Sequence, residues 1–216
     1  MPTPARTGNR SGTSARNEII EMLKEDHKRA KKAFREFEKL DSEQNAEACE
    51  AIVRQTCAEL TVHARLEEEC FYSAARAALE EADLIDEAEV EHATVKQLIE
   101  QLQRMSAGDD KYGATFTVLG EYINHHVKEE EGEMFPQVSR TKLDWDGLLS
   151  AMTERRAELT EELMPEQAAA DEGDAEPDVQ PAQATTASRS SGRGSRAGSG
   201  TARPQASGRK GASEEK

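Results

Sequence analysis

Apolar residues recur along residues 17–165 at alternating three- and four-residue spacing, which is the signature of helices with one buried face. The first such face runs Ile20, Leu23, His27, Ala30, Phe34, Phe37, and the second Ile52, Thr56, Leu60, His63, Glu67, Cys70, Ala74. The third is Ile85, Ala88, His92, Val95, Ile99, Leu102, and the fourth Phe116, Leu119, Ile123, His126, Glu130, Met134. Good helix formers fill the positions between, and no proline falls between Pro4 and Pro136. Turn signals at Asp41-Ser42, near Glu80-Glu81 and at Ser106-Ala107-Gly108-Asp109 predict helices over 17–40, 43–78, 82–105 and 110–137. Gly132 loosens the last turn of the fourth and Pro136 ends it. A fifth helix is predicted at 145–163, with Trp145, Leu148, Leu149 and Met152 as its docking face. Short connections between long helices make antiparallel neighbours. The predicted fold is therefore all-α: an up-down-up-down four-helix bundle with an additional C-terminal helix and disordered tails.

Composition sets the limits of that bundle. Of the 216 residues, 28 are Lys or Arg and 43 are Asp or Glu, a formal charge of −15. Beyond Pro165 the chain has no Leu, Ile, Met or aromatic residue, with Val179 its only large aliphatic. Such a segment buries too little apolar surface to offset the entropy of ordering. The expected organisation is a disordered segment at 1–15, the bundle at 16–140, an accessory helix at 141–164 and a disordered Ala/Gly/Ser/Arg-rich tail at 165–216. Its Arg, Gly and Ser residues are read as a solubilising extension before a weak RNA-binding tail.

Several functions are set aside on these grounds. No run of apolar residues is long enough to span a membrane. The first residues contain no apolar leader core, so no secretory signal is expected. The odd number of cysteines (Cys49, Cys57 and Cys70) suits a reducing compartment, and a cytoplasmic location is expected. An acidic domain repels nucleic acid and anionic membranes. All three cysteines read as small buried thiols, although Cys70 lies one turn beyond Glu67 on the inward face.

The chemistry lies in the stripes themselves. Each of the four bears one histidine, and the second and fourth add a glutamate four residues later, about one turn along the same face. A single histidine on an apolar stripe is ordinarily a hydrogen-bonded core residue. Four of them with two glutamates are a different case, because an unpaired buried carboxylate costs several kcal/mol. No Lys or Arg sits on these stripes beside them, so a divalent cation is the economical partner for both carboxylates and all four imidazoles.

An internal repeat points the same way. HARLEEECFY overlays HVKEEEGEMF, matching His63 with His126, Glu67 with Glu130, Glu68 with Glu131 and Tyr72 with Phe135. Asp26-His27 likewise overlays Glu91-His92, so two copies of one hairpin each supply a half-site, and a dinuclear centre follows. Imidazole and carboxylate without thiolate favour non-haem iron or manganese over structural zinc. If Glu67 and Glu130 bridge, two octahedral ions needing about twelve donor positions are left with a bridging water or oxide and an open position. Dioxygen, peroxide or nitric oxide would bind there.

The segments KEDHKRAKKAF, ELTVHARLEEECFY, EVEHATVKQLIEQL and INHHVKEEEGEMFP resemble the hemerythrin-like, or HHE cation-binding, family over about residues 17–140. The resemblance implies a four-helix bundle holding two iron ions in a non-haem di-iron centre, with His27, His63, Glu67, His92, His126 and Glu130 as ligands. The oxygen carriers of that family have a further histidine one turn after that of the third helix, where this chain has Lys96. The fifth histidine, His125, points about 100° away from His126 and reads as an outer or surface residue. The chain thus resembles the four-histidine variants associated with iron or redox sensing and stress response. Tyr72 and Tyr122 are candidate outer hydrogen-bond donors. Two alternatives stand beside binding or sensing: a di-iron enzyme turning over peroxide or nitric oxide, and a metal-free helical interaction module. Nothing in the sequence marks a dedicated general acid or substrate pocket, so the enzyme reading ranks below binding. Protein partners are not legible.

Overall fold

The structure, a computed structural model, describes residues 8–41, 44–80 and 82–165, with side chains from residue 12 onward. The expectations for residues 1–7 and for the tail beyond Pro165 lie outside the described residues. All regular elements among the described residues are helical. Helix α1 covers Gly8–Phe37, and α2 covers Ala46–Leu66 and continues through a π-helical turn, Glu67–Phe71, into α3, Tyr72–Ala78. After α4 (Asp83–Leu102), α5 (Tyr112–Glu129) continues through a second π turn, Glu130–Met134, into α6, Phe135–Val138. Helix α7, Trp145–Leu163, closes the described chain. Helix α1 packs on α2 and α5, and α4 packs on α5 and α2, so four rods form a closed ring. This is the predicted four-helix bundle with an extra helix.

Two expectations about the first helix are corrected. It begins at Gly8, so residues 8–15, read above as disordered, are helical. Ala15 extends the apolar stripe by a turn and is buried, and the Arg16 guanidinium donates to the Ser139 carbonyl at 3.2 Å, tying this end to the close of α6. The stripe also runs through Ile19, fully buried, rather than Ile20.

The π turns explain a third correction. Tyr72 N–H donates to the Glu67 carbonyl and Phe135 N–H to that of Glu130, five residues back in each case. A five-residue step inserts one residue into the helix and rotates everything after it. The buried positions after Glu67 are therefore Phe71, Tyr72 and Ala75, while Cys70 and Ala74 are only half-buried. Pro136 does not end the fourth rod, which runs on to Val138.

The apolar core is divided in two. One cluster joins Ile19, Leu23, Leu66, Phe71, Ile85 and Phe135 to Trp145, Met152 and Leu159 of α7. The other joins Phe34, Phe37, Val53, Leu60, Val95, Ile99, Phe116 and Leu119. In this second cluster a Cβ on Gly120 would stand 3.0 Å from the Phe34 ring, so glycine permits α1 and α5 to approach closely there. Helix α7 starts where the Asp144 carboxylate accepts from Gly147 N–H at 3.1 Å, and packs across α1, α2 and the first π turn. His27, His63, Glu67, His92, His126 and Glu130, all buried, belong to neither apolar cluster.

Candidate metal centre

The helical period brings all six side chains inward to one another. His27 and His63 face each other through their Nε2 atoms at 3.2 Å, and His92 and His126 do the same at 3.2 Å. Each glutamate reaches one histidine of each pair. Glu67 Oε2 lies 3.2 Å from His63 Nε2 and 3.5 Å from His92 Nε2. Glu130 Oε2 lies 3.2 Å from His27 Nε2 and 3.4 Å from His126 Nε2. The glutamates therefore sit between the two histidine pairs. Both are the first residue of a π turn, a local distortion that recurs at functional sites.

The outer nitrogen of every imidazole meets a carboxylate. His27 Nδ1 is 2.9 Å from Glu131, His92 Nδ1 2.9 Å from Glu68, His63 Nδ1 3.2 Å from Asp26, and His126 Nδ1 2.8 Å from Glu91. An ionised carboxylate only accepts, so these contacts place a proton on each Nδ1 and turn each Nε2 inward. That arrangement is the usual way a protein orients imidazole ligands. It also obeys the repeat: Glu68 matches Glu131, and Asp26 matches Glu91. Sequence reasoning passed over these four as functional residues, although the overlay already aligned them.

Glu67 Oε1 and Glu130 Oε2 are buried with no hydrogen-bond partner. Burial, then the charge of Glu130, pushes the Glu67 carboxyl well above its ordinary range. Burial works against ionisation of Glu130 too, but the nearby His126 and His27 imidazoles hold its carboxyl well below that range. Burial lowers His63 to about 4, so its ring is neutral at pH 7 despite Asp26. Four inward imidazole nitrogens and two buried carboxylates, each with an oxygen that lacks a hydrogen-bond partner, fit a cation and fit little else.

The aromatic lining is matched but not identical between the copies. Tyr72 stacks on His92 with ring centroids 5.5 Å apart, as Phe135 stacks on His27 at 6.0 Å. Only the tyrosine brings a hydroxyl, which donates to Glu130 at 2.8 Å and approaches Glu67 at 3.4 Å. Burial, then the two glutamates, raises this phenol well above 10, so it keeps its proton. Beside the histidines a cavity of about 20 Å³ is walled by Leu60, Val95, Ile123 and Val127, room for a water-sized ligand.

Other candidates fall away from the centre. His125 is 58 % exposed and pairs with Glu91 and Glu129, so it stands outside the histidine that Glu91 holds. Tyr122 is exposed. Cys49 and Cys57 are buried in the far apolar cluster, and burial pushes the Cys57 thiol up to about 12, which leaves it unreactive. Lys96, at the position where oxygen carriers have their extra histidine, ion-pairs with Glu68 at 2.6 Å behind His92.

The hemerythrin HHE cation-binding domain family matches residues 18–138 of the chain. No curated protein matches it. Among solved structures, the crystal structure of a hemerythrin HHE cation-binding domain-containing protein from Mycobacterium kansasii is similar at 25% identity. That likeness covers 68% of this chain and 94% of the other, with a TM-score of 0.53. Helix α7 lies beyond the family match. Among the described residues no helix is long and apolar enough to cross a membrane.

Proposed function

The chain belongs to the hemerythrin HHE cation-binding family, and on that premise we propose that it is a non-haem di-iron binding protein. It would bind or sense iron or O₂-related species. The observation that carries this reading is the buried acceptor set, whose two carboxylate oxygens have no partner within the protein. The donors fall into two groups: His27, His63, Glu67 and Glu130 around one position, and Glu67, His92 and His126 around the other. Glu67 belongs to both groups, and Glu130 touches a histidine of each pair, which supports shared, bridging glutamates. Imidazole and carboxylate without thiolate suit iron or manganese better than zinc.

Bound iron would supply a redox-active Lewis acid able to take dioxygen, peroxide or nitric oxide. The chain's own residues do the rest. Asp26, Glu68, Glu91 and Glu131 keep the imidazoles turned inward. Leu60, Val95, Ile123 and Val127 keep bulk water out of the approach, and the small cavity limits the ligand to a few atoms. Tyr72 holds a proton against Glu130.

Metal analysis and an absorption spectrum of the protein as isolated test the proposal. Two irons per chain with a ligand-to-iron charge-transfer band are expected, and a featureless spectrum without iron overturns it. One observation favours a second reading, turnover of peroxide or nitric oxide: the buried Tyr72 hydroxyl is a hydrogen-bond donor within the donor set. A steady-state peroxide assay on iron-loaded protein separates turnover from binding.

A further inference from the structure

We infer that α7 is a working part of the metal centre, in which Arg156 acts through Asp26 to orient His63. The inference rests on the di-iron reading for its metal consequence, but not for the geometry. Arg156 presents its fork to both oxygens of Asp26, with Nη1 3.1 Å from Oδ1 and Nη2 directly on Oδ2. That same Oδ2 receives His63 Nδ1 at 3.2 Å. A bidentate guanidinium–carboxylate pair fixes the plane of the carboxylate as well as its position. Asp26 is only 9 % exposed. A carboxylate locked in this way can hold the His63 proton on Nδ1 and keep the Nε2 lone pair aimed at the centre.

Docking alone does not account for Arg156. Helix α7 is already seated by buried Trp145, Leu148, Met152 and Leu159, and by rim ion pairs from Arg155 to Glu69 and from Arg65 to Glu162. Arg156 instead turns inward, and its Nε is buried without a partner, a cost that a rim pair avoids. The second hairpin has no counterpart. There Glu91, which holds His126, pairs with the exposed His125. The carboxylates behind the two histidine pairs are therefore braced unequally: Asp26 is held by Arg29 of α1 and also by Arg156, which lies beyond residues 18–138.

The test uses the full chain loaded with iron, and reads iron release to excess chelator. Arg156→Ala is expected to release one of the two irons about tenfold faster than wild type, leaving the other unchanged. Asp26→Ala is expected to do the same, with no further acceleration in the double variant, because both act through one chain of contacts. Arg156→Lys keeps the charge without the fork and is expected to fall between. Met152→Ala removes a buried α7 contact and should lower the melting temperature without singling out one iron. Equal acceleration of both irons in Arg156→Ala, additive effects in the double variant, or the same release pattern in Met152→Ala overturns the inference. Imidazole ¹⁵N NMR of metal-free protein gives a readout independent of iron. Wild type should show His63 protonated on Nδ1, and Arg156→Ala a mixture of tautomers; an unchanged tautomer overturns the inference. If wild type takes up no iron, the di-iron reading fails and the tautomer alone decides the role of Arg156.

Discussion

The two hairpins of the bundle, α1 to α3 and α4 to α6, present the same groups to each other and different groups to their surroundings. Inward, each offers two histidines, a glutamate at the head of a π turn, and an aromatic ring stacked on a histidine. Behind the histidines of the first hairpin stand its own Asp26, covered by Arg156 of α7, and Glu131 from the second hairpin, which is 34 % exposed behind His27. Behind those of the second stand Glu68 from the first hairpin, held by Lys96, and its own Glu91 beside the exposed His125. Duplication thus accounts for a symmetric pair of half-sites. The inequality between them comes from the contacts behind the histidines and from the single hydroxyl of Tyr72.

The largest effects test whether the inner set is shared. Glu67→Gln and Glu130→Gln each remove a carboxylate placed between the histidine pairs, and metal analysis should show at most one iron per chain in either. In metal-free protein the two variants should diverge. The Glu67 carboxyl is raised in the folded state, so its contribution to stability is complete below about pH 4.5 and is lost as pH rises. Glutamine has no charge to bury, so Glu67→Gln should gain on wild type as pH rises above about 4.5, by at most about 1.4 kcal/mol per pH unit in denaturant unfolding. The Glu130 carboxyl is lowered, so its contribution is present above that range, and Glu130→Gln should lose stability at neutral pH. Identical pH profiles would show that the hairpins do not differ at their inner face.

Tyr72→Phe makes the first hairpin like the second at this position and strips Glu130 Oε1 of its 2.8 Å donor. Unfolding should register a loss of about 1–3 kcal/mol, the cost of leaving a buried acceptor unsatisfied. Lys96→Ala frees Glu68 behind His92. Because Lys96 is 45 % exposed and screened by solvent, the expected change is a few-fold faster iron release, shrinking as salt is added. His125→Ala should leave the iron content unchanged, whereas His126→Ala should lower it. The reverse result would move the ligand by one residue.

Much of this centre is legible in the chain itself. The stripes of α4 and α5 are buried as read, from Ile85 to Leu102 and from Phe116 to Ile123. The hairpin overlay brings His63 with Glu67 and His126 with Glu130 into matched places. It also aligns the four outer carboxylates, but alignment does not tell which carboxylate faces which imidazole. Asp26 sits next to His27 in sequence and serves His63 instead. The first π turn was not legible: a regular period carries the inward face from Glu67 to Cys70 and Ala74, and the inserted residue moves it to Phe71 and Ala75. The second shows only as Gly132, which the period treats as a loosened turn. The early start of α1 was missed because Ala15 is a small apolar residue in a polar stretch, buried only once the end of α6 lies against it.

What the sequence by itself determined is the inward donor set: a helix repeats every 3.6 residues, so residues four apart share a face whatever the rest of the chain does. Tertiary structure alone decided how those donors are braced. Arg156 and Asp26 stand 130 residues apart, and no local period links them. Their meeting depends on where α7 comes to rest, which is set by burying Trp145, Met152 and Leu159 in the core cluster while α7 packs across α1, α2 and the first π turn.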